Sequence, residues 1–170
     1  MILVGYPGVG KSSISNREDG FVDLESSNFT INGSKDLGWV VPYINVAIDL
    51  YKQGYDVFVS SHFVVRNELK KRVRNGEISN SDVLLIYPSI DLKEEWVEKL
   101  KKRYEEDHID GHLRAYERSK NHYDTDINDM RADKDFASLE LDKMDYNLHD
   151  EILGLYLAND YISSLEPKGK

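Results

Sequence analysis

Near the start of the chain, Gly5-Tyr6-Pro7-Gly8-Val9-Gly10-Lys11-Ser12 combines three glycines, a lysine and a hydroxyl at a spacing suited to holding phosphate. Glycines let the backbone take conformations closed to residues with a Cβ, so that successive N–H groups can turn inward around an anion. Lys11 supplies a mobile cation for the outer phosphates of a nucleotide, and the Ser12 hydroxyl is a candidate ligand for a Mg²⁺ ion bridging two of them. Tyr6, Pro7, Gly8, Val9, Gly10, Lys11, Ser12 and Ser13 are therefore the candidate contacts to ATP, with Ser12 the candidate metal ligand.

Acids follow in "VDLESSNF" at 22–29. Asp23 and Glu25 alternate with Val22 and Leu24, so both can leave a strand on the same side. A carboxylate there could orient or deprotonate an acceptor hydroxyl, or hold Mg²⁺ through water. Equally, both acids could cap a turn with Ser26, Ser27 and Asn28. His62 and Arg66 stand four apart on one helical face and could grip an acceptor phosphate, or serve a structural hydrogen bond instead. Arg103, and then Arg114 and Arg118 beyond "HIDGH" at 108–112, could close over a transferring phosphoryl group. Salt bridges to acids such as Glu106 and Glu117 explain these arginines equally well. Trp39, Tyr43, Phe29 and Tyr6 could stack a base, although aromatic residues at helical spacing also make core. The candidate catalytic set is thus Lys11, Asp23, Arg103, Arg114 and Arg118; the candidate acceptor set is Glu25, Trp39, His62 and Arg66. The histidines at 108, 112, 122 and 149 show no metal-ligand spacing.

These residues need a scaffold that brings them to one edge. Met1–Tyr6, "GFVDL" at 20–24, "YDVFVSS" at 55–61 and "DVLLIYPS" at 82–89 read as short buried strands, and "KMDYNL" at 143–148 as a weak fifth. Between them run helical periodicities: Val41, Ile44, Ile48 and Tyr51; Leu92, Trp96, Leu100 and Tyr104; Leu113, Tyr116, Tyr123, Ile127 and Met130. Alternation of strand and helix predicts an α/β protein, a three-layer α/β/α sandwich around a five-stranded, mostly parallel sheet. Residues 1–166 read as one domain, 92–133 as a helical lid or insertion over one end of the sheet, and 167–170 as a disordered tail. Ligands of such sheets bind at the carboxyl ends of the strands, where the loop at 5–12 and the acids at 23 and 25 would meet.

The chain has 170 residues, no cysteine and a formal net charge of -9. Disulfides, cysteine zinc sites and thiol nucleophiles are excluded. An acidic surface argues against a long nucleic acid as partner, because that binding depends on neutralising phosphates with Lys and Arg. A small anion in a local basic pocket stays open, as does a homodimer. With no apolar stretch of ~20 residues and no signal-like start, a cytoplasmic protein without membrane association is expected.

The phosphate loop near the start, the acid at the end of the second strand, the chain length and the late helical stretch resemble the nucleoside monophosphate kinase group of P-loop NTPases. "GYPGVGKSS" with "DLESSNF" is also similar to small bacteriophage-type nucleotide kinases. The resemblance implies transfer of the γ-phosphoryl group of ATP, with Mg²⁺, to a small nucleotide acceptor, above all a nucleoside or deoxynucleoside monophosphate. Kinases of nucleosides or of polynucleotide 5′ ends, and a regulatory nucleotide-binding protein with little turnover, are the alternatives. One departure supports the last: the strand at 55–61 ends in Ser60, Ser61 and His62, where many P-loop proteins place an Asp that helps hold Mg²⁺.

Overall fold

The computed structural model describes residues 1–29 and 38–165, without the side chains of 159–165; the tail at 167–170 lies outside the described residues. Five strands are present: β1 (Ile2–Gly5), β2 (Phe21–Asp23), β3 (Asp56–Ser60), β4 (Val83–Pro88) and β5 (Ala137–Leu141). All pair parallel, in the order β2-β3-β1-β4-β5. Among the described residues there are six α-helices: α1 (Lys11–Ser15), α2 (Val40–Lys52), α3 (Phe63–Arg74), α4 (Lys93–Asp107), α5 (Asp110–Ala132) and α6 (Leu148–Leu165).

Every residue of β1 and β4 is buried, as continuous apolar runs in the middle of a parallel sheet require. From β1 the chain travels outward in one direction to β2, then returns through β3 and passes to β4 in the other. With right-handed crossovers these opposite directions put the connecting helices on opposite faces, which suits a three-layer arrangement. β1 and β3 are neighbours from which the connections diverge, so a crevice forms at their carboxyl ends. The register sets Gly5 of β1 level with Ser60 of β3 and Ile86 of β4.

The fifth strand differs from expectation. It is Ala137–Leu141, not 143–148, and pairs with β4 from Leu84↔Ala137 to Pro88↔Leu141. An edge strand needs only one apolar face, and of this segment only Leu141 is fully buried, with Leu139 half-buried. Residues 143–147 instead form the connection to α6, which begins at Leu148, and Tyr146 there has a separate task described below.

Residues 93–107 and 110–132 are helical, and the break between them falls at His108, whose left-handed φ of 54° ends α4. The hairpin of α4 and α5 is rooted in the core through Trp96, Leu100, Tyr123, Ile127 and Met130, while residues 105–110 at its tip are exposed. A buried ion network fastens α3 to the end of α5: Arg66 pairs with Asp129 and, at 3.0 Å, with Asp133, and Lys70 reaches Asp133 at 2.9 Å. No described helix is long and apolar enough to cross a membrane.

Candidate functional site

β1 stops at Gly5 and α1 begins at Lys11, and the loop between them depends on its glycines. Gly8 and Gly10 hold φ of 87° and 103°, a region that residues with a Cβ rarely enter. At Gly5 a Cβ would stand 2.9 Å from Cδ of Lys11, so a larger residue would push the lysine from its place over the loop. The outside of the loop is clamped by two aromatic residues. Trp96 Nε1 donates to the Pro7 carbonyl at 2.9 Å, and the Tyr146 hydroxyl donates to the Val9 carbonyl at 3.0 Å. Their rings lie nearly parallel, 6.3 Å apart, with Lys99 Nζ 4.4 Å from the Trp96 ring centre. Burial, followed by the charge of Arg103, lowers the Lys99 pKa. In a trans peptide unit the N–H points opposite to the C=O, and no described peptide bond is cis. Holding the Pro7 and Val9 carbonyls therefore aims the Gly8 and Gly10 amides away from Trp96 and Tyr146, as an anion nest requires.

Lys11 folds back over this loop, Nζ donating to the Gly5 carbonyl at 3.3 Å. Burial lowers its pKa; Asp23 and Glu25 oppose the shift, and Arg103 adds to it. Ser12 Oγ donates to Asp23 Oδ2 at 2.6 Å. A hydroxyl has one proton and two lone pairs, so with the proton given to Asp23 the lone pairs are left for a cation. The carboxylate that serves Ser12 thus comes from β2, while the end of β3 carries Ser60, Ser61 and His62. Among the described residues no group of three or more His, Asp or Glu side chains forms a metal cage. The donor set fits Mg²⁺ held the way nucleotide sites hold it, by a hydroxyl and an adjacent carboxylate with phosphate oxygens and water completing the shell.

A cavity of about 640 Å³ opens at the carboxyl ends of β1, β2 and β3 and runs up to α5. Tyr6, Pro7, Lys11, Asp23, Glu25, His62, Arg66, Arg114 and Arg118 share its wall. The hydroxyl of Tyr43, a buried side chain on α2, donates to the Leu24 carbonyl at 2.8 Å and accepts from the Ser60 amide at 2.8 Å, holding the ends of β2 and β3 at this wall. Burial pushes the Tyr43 pKa up. Tyr6 is turned toward α5, its ring edge-on to Tyr123 at 5.8 Å and its hydroxyl 3.1 Å from Ser119 Oγ. Burial pushes its pKa up to about 12. Trp39 is not on the cavity wall; it meets His62 edge-on at 6.3 Å and packs against Tyr43 at 5.4 Å. Ser13 lies on the wall of a second cavity, of about 400 Å³, with Gly10, Arg17, Lys99, Tyr146 and Asn147.

The arginines divide by their partners. Arg66 is 3% exposed and taken up by Asp129 and Asp133, so although it lines the cavity its guanidinium tethers two helices. Arg118 is bidentate to Asp126, at 2.8 and 2.6 Å. Among the described residues neither Arg103 nor Arg114 forms an ion pair. Arg114 is on the cavity wall, and the field of Arg103 reaches Lys11.

Sequence reasoning missed four residues. Trp96 and Leu100 share a periodicity that reads as core, and nothing in it shows an indole proton reaching the loop. Tyr146 fell within the expected strand at 143–148, and Lys99 looks like any helix-face lysine. Phe63 is 57% exposed on the cavity wall, and its position just after a strand end was the available signal. Comparison with protein-family models and with curated proteins returns no match for this chain.

Proposed function

We propose that this chain is a P-loop phosphotransferase of the nucleoside monophosphate kinase-like type, moving the γ-phosphoryl group of Mg·ATP to a small acceptor. The observation that carries the reading is the loop with its neighbours. Two left-handed glycines have their flanking carbonyls pinned outward, a desolvated lysine folds over the loop, and Ser12 gives its proton to Asp23.

The triphosphate lies in the loop against the Gly8 and Gly10 amides, with the donor nucleoside directed past Ser13 to the second cavity and the acceptor in the larger one. Lys11 leaves the Gly5 carbonyl for the transferring phosphoryl oxygens, exchanging a neutral partner for an anionic one. Ser12 and Asp23 hold Mg²⁺, which when bound offsets charge on the β- and γ-phosphates. Arg103 and Arg114, from the two arms of the α4–α5 hairpin, add positive charge and exclude water when its exposed tip closes. A nucleoside monophosphate is the acceptor that the resemblance implies.

Isothermal calorimetry with Mg·ATP, followed by ADP release across nucleosides and nucleotides, tests the reading with Lys11→Met as control. Saturable binding that Lys11→Met removes, and acceptor-dependent ADP release, are expected. Absence of saturable binding overturns it.

A further inference from the structure

We infer that the acceptor is a nucleoside phosphorylated on a hydroxyl, not a nucleoside monophosphate, and that Glu25 is the base that takes the hydroxyl proton. The inference rests on the phosphotransferase reading above.

A dianionic acceptor phosphate needs cations that the donor does not occupy. Lys11 belongs to the donor loop, and in the function proposed above Arg114, which is on the cavity wall, serves the transferring group. On the acceptor wall the cation is Arg66, whose Nη1 donates to Asp133 at 3.0 Å, whose Nη2 pairs with Asp129, and whose Nε donates to the Ser61 carbonyl at 3.4 Å. Drawing it toward a substrate would break its pairs with Asp129 and Asp133 and leave Asp133, with a side chain 2% exposed, to Lys70 alone. Arg118 is likewise held by Asp126. The same wall carries the carboxylates of Asp23, Glu25, Asp126 and Asp129. Asp126 and Asp129 are paired with Arg118 and Arg66, and Asp23 holds Ser12. Among the described residues the carboxylate left open on this wall is therefore Glu25, which disfavours a phosphate dianion beside it and gives a neutral hydroxyl a proton acceptor.

Of the two acids at the end of β2, Asp23 is occupied with Ser12. Glu25 lies two residues on, lines the same cavity, is exposed, and among the described residues makes no ion pair. Phe63 offers an exposed ring on the same wall against which a base can stack. In the transfer, Glu25 accepts the hydroxyl proton while the acceptor oxygen forms its bond to the γ-phosphorus. The bond from that phosphorus to the β–γ bridging oxygen breaks, the electron pair leaves with ADP, and the proton passes from Glu25 to water.

The test is initial rates of ADP release from Mg·ATP with a panel of ribo- and deoxynucleosides and, in parallel, their 5′-monophosphates, with products identified by phosphorus NMR. Nucleosides accelerate ADP release and appear as phosphate monoesters, while monophosphates do not accelerate it. Glu25→Gln lowers kcat about 100-fold or more with Mg·ATP affinity changed less than about twofold. Phe63→Ala raises the nucleoside KM about tenfold. Acceleration by monophosphates but not nucleosides overturns the inference and leaves the phosphotransferase reading standing, as does an unchanged kcat in Glu25→Gln. Mg·ATP binding with neither class accelerating release overturns the inference too, and failure of Mg·ATP to bind removes the reading beneath it.

Discussion

Lys11 sits where burial disfavours its own charge, and in the proposed function the phosphates of the nucleotide compensate it. Lys11→Met should therefore abolish saturable Mg·ATP binding in calorimetry while the ligand-free protein melts no lower than the parent. The pH dependence follows from the same depressed pKa. Between the lowered value in the free protein and the ordinary lysine value of 10.5, the unfolded chain binds more protons than the folded one. Free-protein stability thus rises with pH through that window. A bound phosphate restores the proton to Lys11, so the thermal shift produced by Mg·ATP should shrink as pH rises through it. For Asp23, replacement by Asn keeps an oxygen for the Ser12 hydroxyl but removes the charge, and the Mg²⁺ needed for half-maximal activity should rise about 10–100-fold. The loop residues were legible in the sequence because their chemistry is local. That Asp23 would serve Ser12, and that Arg66 would be consumed by Asp129 and Asp133, were not, since each pairing joins elements whose order in the sheet no local pattern states.

At the scale of elements, the strand–loop–helix at 2–15 is held from outside by α4. A Cβ at Gly8 would stand 3.0 Å from Leu100 Cδ2 and 3.1 Å from Trp96 Nε1, on a backbone at φ 87°. Gly8→Ala should cost about 1–2 kcal/mol from the left-handed backbone alone, read from urea unfolding, and should weaken nucleotide binding by displacing the loop. The buried strands β1, β3 and β4 were legible because an uninterrupted apolar run leaves few alternatives. β5 was not, because an edge strand hides its single apolar face among charged neighbours, and Met144 and Tyr146 made the next segment look more strand-like. The helical stretch was placed well, but its periodicity does not show that the same helices both root in the core and carry the exposed tip.

For the molecule as a whole, the cavity has walls from opposite sides: the ends of β2 and β3 with α3, and the helix α5. The tie between α3 and α5 is ionic and buried, so its loss should be felt globally. Asp133→Ala leaves the Arg66 guanidinium, 4% exposed, without its buried partner, and a loss of about 3–5 kcal/mol in global stability is expected by chemical denaturation. The chain carries two tryptophans, and one of them, Trp96, donates its indole proton to the Pro7 carbonyl in the loop between β1 and α1. Replacing Trp39 with Phe would leave a single emitter wired to the proposed nucleotide seat. Occupancy could then be followed as a change in ultraviolet fluorescence, in real time and without a dye.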